Sequence, residues 1–184
     1  TLYYTKNTAE SHQELVDTLF RRELPPPADT QKETFQTLLA DTLEGDCNME
    51  VMQSVQGQIV NMIEEHKENK DPEPLVLSKG ALEMVLSASG VEEEHREAFA
   101  QRFEEEFGTD ARLCPQNLVD KKQFQVCTPD VTIRVNPERS DLVETRIIDG
   151  AGYILIRAEG GVEVNGVPIC IAPPEEAEEN RQEE

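Results

Sequence analysis

The chain has 184 residues, enough for one ordinary domain or two small ones with a core of useful size. No stretch approaches the roughly 20 apolar residues that cross a bilayer, and no apolar segment near the start resembles a signal peptide. With 38 acidic against 17 basic side chains, the net charge of −21 opposes broad electrostatic attachment to DNA, RNA or anionic lipid, although it leaves room for a local basic patch.

The charge is uneven. Residues 1–112 carry 10 basic and 24 acidic side chains, residues 113–172 carry 6 and 8, and the last twelve carry 1 and 6. The chain opens at Thr1 without a methionine and enters an expected strand, Leu2-Tyr3-Tyr4, at once, which suggests a piece of a longer protein. Asn7 and Glu10 have the spacing of a capping box, so a helix is expected to about Arg22, with Leu15, Val16, Leu19 and Phe20 as its apolar stripe. Pro25-Pro26-Pro27 ends it, because proline lacks the amide hydrogen and restricts the residue before it. A second capping box, Thr30 to Glu33, predicts a helix that buries Phe35, Leu38, Leu39 and Leu43 and closes at Gly45.

The longest helix is expected from about Met49 to Lys67, with Asn48 as N-cap. Val51, Met52, Val55, Ile59, Met62 and Ile63 recur at helical period, and the methionines are read as core. The polar run from His66 to Pro74 reads as a surface linker. Ser78 can cap a short helix carrying Leu82, Val85 and Leu86, with Gly90 at the position where a left-handed residue ends a helix. A last helix, about 92 to 107, places Phe99, Phe103 and Phe107 at i, i+4 and i+8, so that three rings share one side, and Gly108 ends it. The pair of helices about Gly90 is an ordinary helical hairpin and not a DNA-reading one: the second helix begins Glu92-Glu93-Glu94, where a recognition helix needs donors and cations.

From Leu113 the pattern changes to strands, at 124–127, 131–135, 143–148, 153–157, 162–164 and 167–171. Val131, Ile133 and Val135 fall on one side of the pleat, expected dry, and Thr132 and Arg134 on the other. Asp149-Gly150 and Asn165-Gly166 are hairpin turns. The fold class read from these elements is α+β: residues 1–112 form a helical part of about five helices with a short N-terminal strand, and residues 113–172 an antiparallel β meander packed on the helices. Residues 173–184, almost without apolar content, form a disordered acidic tail. The four cysteines, Cys47, Cys114, Cys127 and Cys170, are too scattered for a zinc or redox pair. They read as free thiols in a reducing cytoplasm, with Cys127 and Cys170 as small buried hydrophobes on strands.

No catalytic motif emerges. His12, His66 and His95 sit beside acids on helices or their edges without metal-ligand spacing and read as surface residues; no nucleophile elbow or phosphate loop is present. No catalytic, cofactor-binding or metal-binding residue is therefore assigned, and no cofactor is expected. One polar cluster stands out, Asn136, Glu138, Arg139 and Asp141, extending to Glu144 and Arg146. It mixes both charges in a loop between strands, and its readings are a local structural loop or a contact for a ligand or partner.

The strings QKETFQTLLADTL from Gln31, PLVLSK from Pro74, TPDVTIRVNPERSDLVETRIIDG from Thr128 and VEVNGVPI from Val162 resemble an uncharacterised bacterial family known as domain of unknown function 4317. The resemblance spans nearly everything except the acidic tail, implies an additional N-terminal region in longer members, and carries over no activity. The order of elements is also faintly similar to the 37-kilodalton nucleoid-associated proteins of bacteria. The leading expectation is a non-enzymatic interaction or structural module of a larger cytoplasmic bacterial protein, partnered by another protein or by its own missing N-terminal region. An oligomer is allowed, nucleic acid is disfavoured for this piece alone, and no membrane is involved. The alternative is nucleoid-associated-like nucleic-acid binding as part of an oligomer, and a third reading is a hydrolase using carboxylates at Glu138, Asp141 and Glu144.

Overall fold

The computed structural model describes residues 26–171, so the expected strand at 2–4, the helix at 7–22 and the tail at 173–184 lie outside the described residues. Helix α1 (Ala28–Leu43) starts directly after the prolines, with Pro27 in the N-cap position. Thr30 and Glu33 therefore do not open the helix. The start is held instead by buried Gln31, whose Nε2 donates to the Pro26 carbonyl at 2.7 Å. Phe35, Leu38, Leu39 and Leu43 form its buried stripe as expected. The helix ends at Leu43 with Glu44 in the C-cap position and Gly45 directly after it, as expected, but the positive φ, 44°, falls on Glu44, which opens a 3-10 turn (Glu44–Asp46).

Helix α2 (Met49–Asn69) begins where Asn48 predicts: the Asn48 side chain accepts from the Val51 amide at 3.0 Å, satisfying one of the free donors of the first turn. It runs two residues past the expected end and stops at Lys70, which is left-handed. Val51, Val55, Ile59 and Ile63 are core, and Met52 and Met62 pack half-buried against it. Strand β1 (Leu77–Ser78) leads into helix α3 (Lys79–Ala88), capped by the Ser78 hydroxyl, which accepts from the Ala81 amide at 3.3 Å. Gly90, at φ 86°, turns the chain as expected.

Helix α4 (Glu93–Phe107) carries the aromatic row. The rings of Phe99 and Phe103 lie 6.0 Å apart and those of Phe103 and Phe107 5.0 Å apart, while Phe35 of α1 meets Phe99 edge-on at 6.3 Å and 89°. An edge-to-face ring pair adds to what burial alone contributes, and this one joins α1 to α4. Lys79 pairs with Glu104, tying the start of α3 to α4. Strand β2 (Arg112–Leu113) then pairs antiparallel with β1, placing buried Leu77 opposite buried Leu113, and a single turn of helix, α5 (Pro115–Leu118), buries Leu118. Two-residue strands and a four-residue helix are too short to show a period, so periodicity does not reveal them.

The strands that follow pair as separate two-stranded hairpins and not as one continuous meander. Strand β3 (Phe124–Cys127) pairs with β4 (Thr132–Val135), Gln125 opposite Arg134 and Val126 opposite Ile133. Phe124, Val126, Ile133 and Val135 share the more buried face, and Gln125, Cys127, Thr132 and Arg134 the exposed one. Val131 departs from the expected dry face: it precedes the strand and is 53 % exposed. Cys127 and Cys170 are also exposed, contrary to their expected burial.

By their contacts the residues divide into two compact units between Ser140 and Asp141. The elements above belong to the first. The second contains β5 (Val143–Ile148) paired with β6 (Ala151–Ile156) and β7 (Val162–Val164) paired with β8 (Val167–Ile169). Asp149-Gly150 and Asn165-Gly166 form the two tight turns with positive φ at both residues, as their sequences predict.

Candidate functional site

The six residues singled out in the sequence do not fall in one compact unit. In the first, Asn136 closes a local turn: its Oδ1 accepts from the Glu138 amide at 3.2 Å and its carbonyl accepts from the Arg139 amide at 2.8 Å. Gln53 of α2 donates to the Ser140 carbonyl at 2.8 Å, which fastens the end of this turn to the helix. In the second unit, Asp141 accepts from Arg157 at 2.7 Å, and Glu144 lies 2.9 Å from Arg146, two residues along β5 on the same face. These exposed pairs are weak individually.

One histidine differs from expectation. His95, in the first turn of α4, has only 20 % of its side chain exposed, and its Nδ1 lies 2.8 Å from Asp46 Oδ2. The same carboxylate oxygen accepts from the Glu92 amide at 2.9 Å. Asp46, from the 3-10 turn, thus caps α4 from a distant part of the chain, where no side chain of the helix's own N-cap residue does so. The hydrogen bond from Glu92 and then that with His95 hold Asp46 below the ordinary carboxylate value, and the bond to Asp46 raises His95 above the ordinary histidine value, with Glu44 and Glu92 adding to it.

A more concave feature lies between α1, α2 and the 118–127 stretch. It is a cleft of about 410 Å³ with Phe35, Leu39, Val55 and Leu118 beneath it and Met52 beside them, and with Gln36, Gln56, Gln123 and Gln125 along its sides. Its shape depends on Gln56: the Nε2 donates to the carbonyls of Asp120 at 2.9 Å and Gln123 at 3.1 Å, so one side chain of α2 pins the loop before β3. Gln31 Oε1 accepts from Asn117 at 3.1 Å, which holds α5 to α1. A neighbouring basin of about 450 Å³ shares Lys32, Val119 and Asp120 with the cleft and adds Lys121 and Lys122.

Sequence reasoning places Phe35, Leu39, Met52 and Val55 in the core and passes over the glutamines and lysines around them. The local sign is that Gln53 and Gln56 stand beside the apolar stripe of α2 as uncharged polar residues. Among the described residues, no three His, Cys, Asp or Glu side chains gather as metal ligands would, and no helix is long and apolar enough to cross a membrane.

No curated protein and no solved structure matches the chain, and the fainter likeness to nucleoid-associated proteins gains no support. The family model described as domain of unknown function (DUF4317) matches residues 1–167, and the chain belongs to that family.

Proposed function

We propose that the chain is a non-enzymatic interaction module that works in the bacterial cytoplasm by binding another protein. The observation that carries this reading is the apolar surface of the second unit. On β5–β6 the face shared by Val143, Thr145, Ile147, Gly152, Ile154 and Ile156 holds no charge; Val143 at one end is buried, while Ile156 is 57 % exposed and Ile147 at the other end 82 %. On β7–β8, Val162, Val164, Val167 and Ile169 share one face, and Val167 is 61 % exposed. Contiguous exposed apolar residues on a protein this polar are characteristic of interaction surfaces. The four exposed thiols, none in a disulfide, suit a reducing compartment.

The test is affinity capture from native lysate with the unaltered chain and with an Ile147→Lys/Val167→Lys double variant. The reading expects a protein retained by the first and lost by the second while the helical circular dichroism stays unchanged. Identical captured sets, or no capture together with turnover in an activity screen, would overturn it.

A further inference from the structure

We propose that the cleft between α1, α2 and the 118–127 stretch is a docking groove for an extended acidic peptide with apolar side chains, supplied by a protein partner. This rests on the interaction-module reading and gives it a second, chemically different contact. Four observations converge on the groove.

The first is charge. The chain holds 38 acidic side chains and 17 basic ones, and Lys79, Arg102, Arg146 and Arg157 all sit within 4 Å of a carboxylate. Among the described residues, Lys32, Lys121 and Lys122 make no such pair, although they come from two distant parts of the chain and line one basin. Asp29 and Asp120 line the same basin, so three cations meet two carboxylates there, a net positive spot on an otherwise acidic surface that favours a complementary negative group.

The second is the apolar floor of the adjoining cleft, where Phe35, Leu39, Met52 and Val55 offer a lining for an aliphatic side chain. The third is the carboxamide wall. Gln36 and Gln125 are exposed on it, and Gln56, whose nitrogen already serves two carbonyls, keeps only its oxygen to accept from an incoming N–H. Carboxamides that both donate and accept match a peptide backbone, which does the same at every residue. The fourth is that β3, which borders the groove through Gln125 and Cys127, pairs with β4 alone among the described residues. Among those residues its second edge has no partner strand, and strand edges take up extended peptides.

A nucleic acid fits worse. Base stacking needs open ring faces, and Phe35, the ring that lines the groove, is buried.

The full chain, ¹⁵N-labelled, is titrated at low salt with an acetylated and amidated hexapeptide of alternating leucine and glutamate, and in parallel with its glutamine-for-glutamate counterpart and with acetate. The proposal expects amide shifts at Lys32, Gln36, Lys121, Lys122 and Gln125. It expects binding weaker by about tenfold for the glutamine peptide and for a Lys32→Glu/Lys121→Glu/Lys122→Glu variant. Equal binding of both peptides, the same shifts from acetate alone, or no binding at millimolar peptide would overturn it. Shifts confined to Ile147, Val164 and Val167 would overturn it too, while leaving the interaction-module reading in place.

Discussion

In the unit that ends at Ser140, Phe99 and Phe103 have no exposed surface and belong to a core cluster that runs from Phe35 to Leu118. In the unit that begins at Asp141, Ile147, Ile156, Val164, Val167 and Ile171 are each more than half exposed. Both units are built from apolar residues at the right period for their elements. The difference lies in cover: four helices wrap a shared interior, whereas a two-stranded hairpin has two faces and too few residues to bury either by itself. A regular apolar pattern thus says which side of an element is oily and leaves open whether anything in the same chain lies against it. In a family protein read as a binding module, the uncovered side is the informative one.

The sharpest way to break the comparison is to open the closed unit. Phe99→Ala removes a ring that is fully buried and set edge-on against Phe35, so about 3–5 kcal/mol of stability should be lost in denaturant unfolding. A loss under about 1 kcal/mol would mean that the interior is not packed as described. Gln56→Ala comes next, at about 1–3 kcal/mol, since two hydrogen bonds to backbone carbonyls are lost and each contributes about 0.5–1.5 kcal/mol. Its amide shifts should centre on Asp120 and Gln123, and unchanged shifts there would show that the loop is held by other contacts.

A smaller effect is expected from pH. His95 binds its proton more tightly when folded, so its contribution is complete below the ordinary value of 6.5 and fades as pH rises through the raised value. Asp46, held below its ordinary 3.8, contributes above that value and loses its part as pH falls through the depressed one. The contact between the 3-10 turn and α4 is therefore firmest between these two limits. Titration of the His95 ring by NMR should give a value above 6.5, returning toward it in Asp46→Asn; no change in that variant would contradict the pairing. The smallest effect belongs to the open unit: Ile147→Thr should change stability by no more than about 0.5 kcal/mol, because the side chain is 82 % exposed. A cost above about 1.5 kcal/mol would reveal cover over that face.

These regions also differ in how legible they were. Helix α2 could be placed from Asn48 and the Val51, Val55, Ile59 stripe, and the two C-terminal hairpins from Asp149-Gly150 and Asn165-Gly166, because cap and turn chemistry act within a few residues. Alternation predicted strands without saying which would join, so the expected meander proved to be separate hairpins. Period two alone does not establish which side of a strand is dry, and Val131 and Cys127 are both exposed. The start of α1 depends on Gln31 reaching the Pro26 carbonyl, a bond that the capping-box pattern does not describe. The cleft was not legible at all. Gln56 meets Asp120 across 64 positions and Asp46 meets His95 across 49, and such pairings arise only once the helices have packed.

Hydrogen exchange of the isolated full chain, followed amide by amide, tests the contrast between the covered and the open unit most directly. Amides of α3 and α4 should be protected at least about a hundredfold more than those of β7 and β8, since a covered core opens only with the whole unit and an uncovered hairpin opens locally. Equal protection in both would show that the hairpin faces are covered in the free chain and would remove the surface on which the proposed function rests.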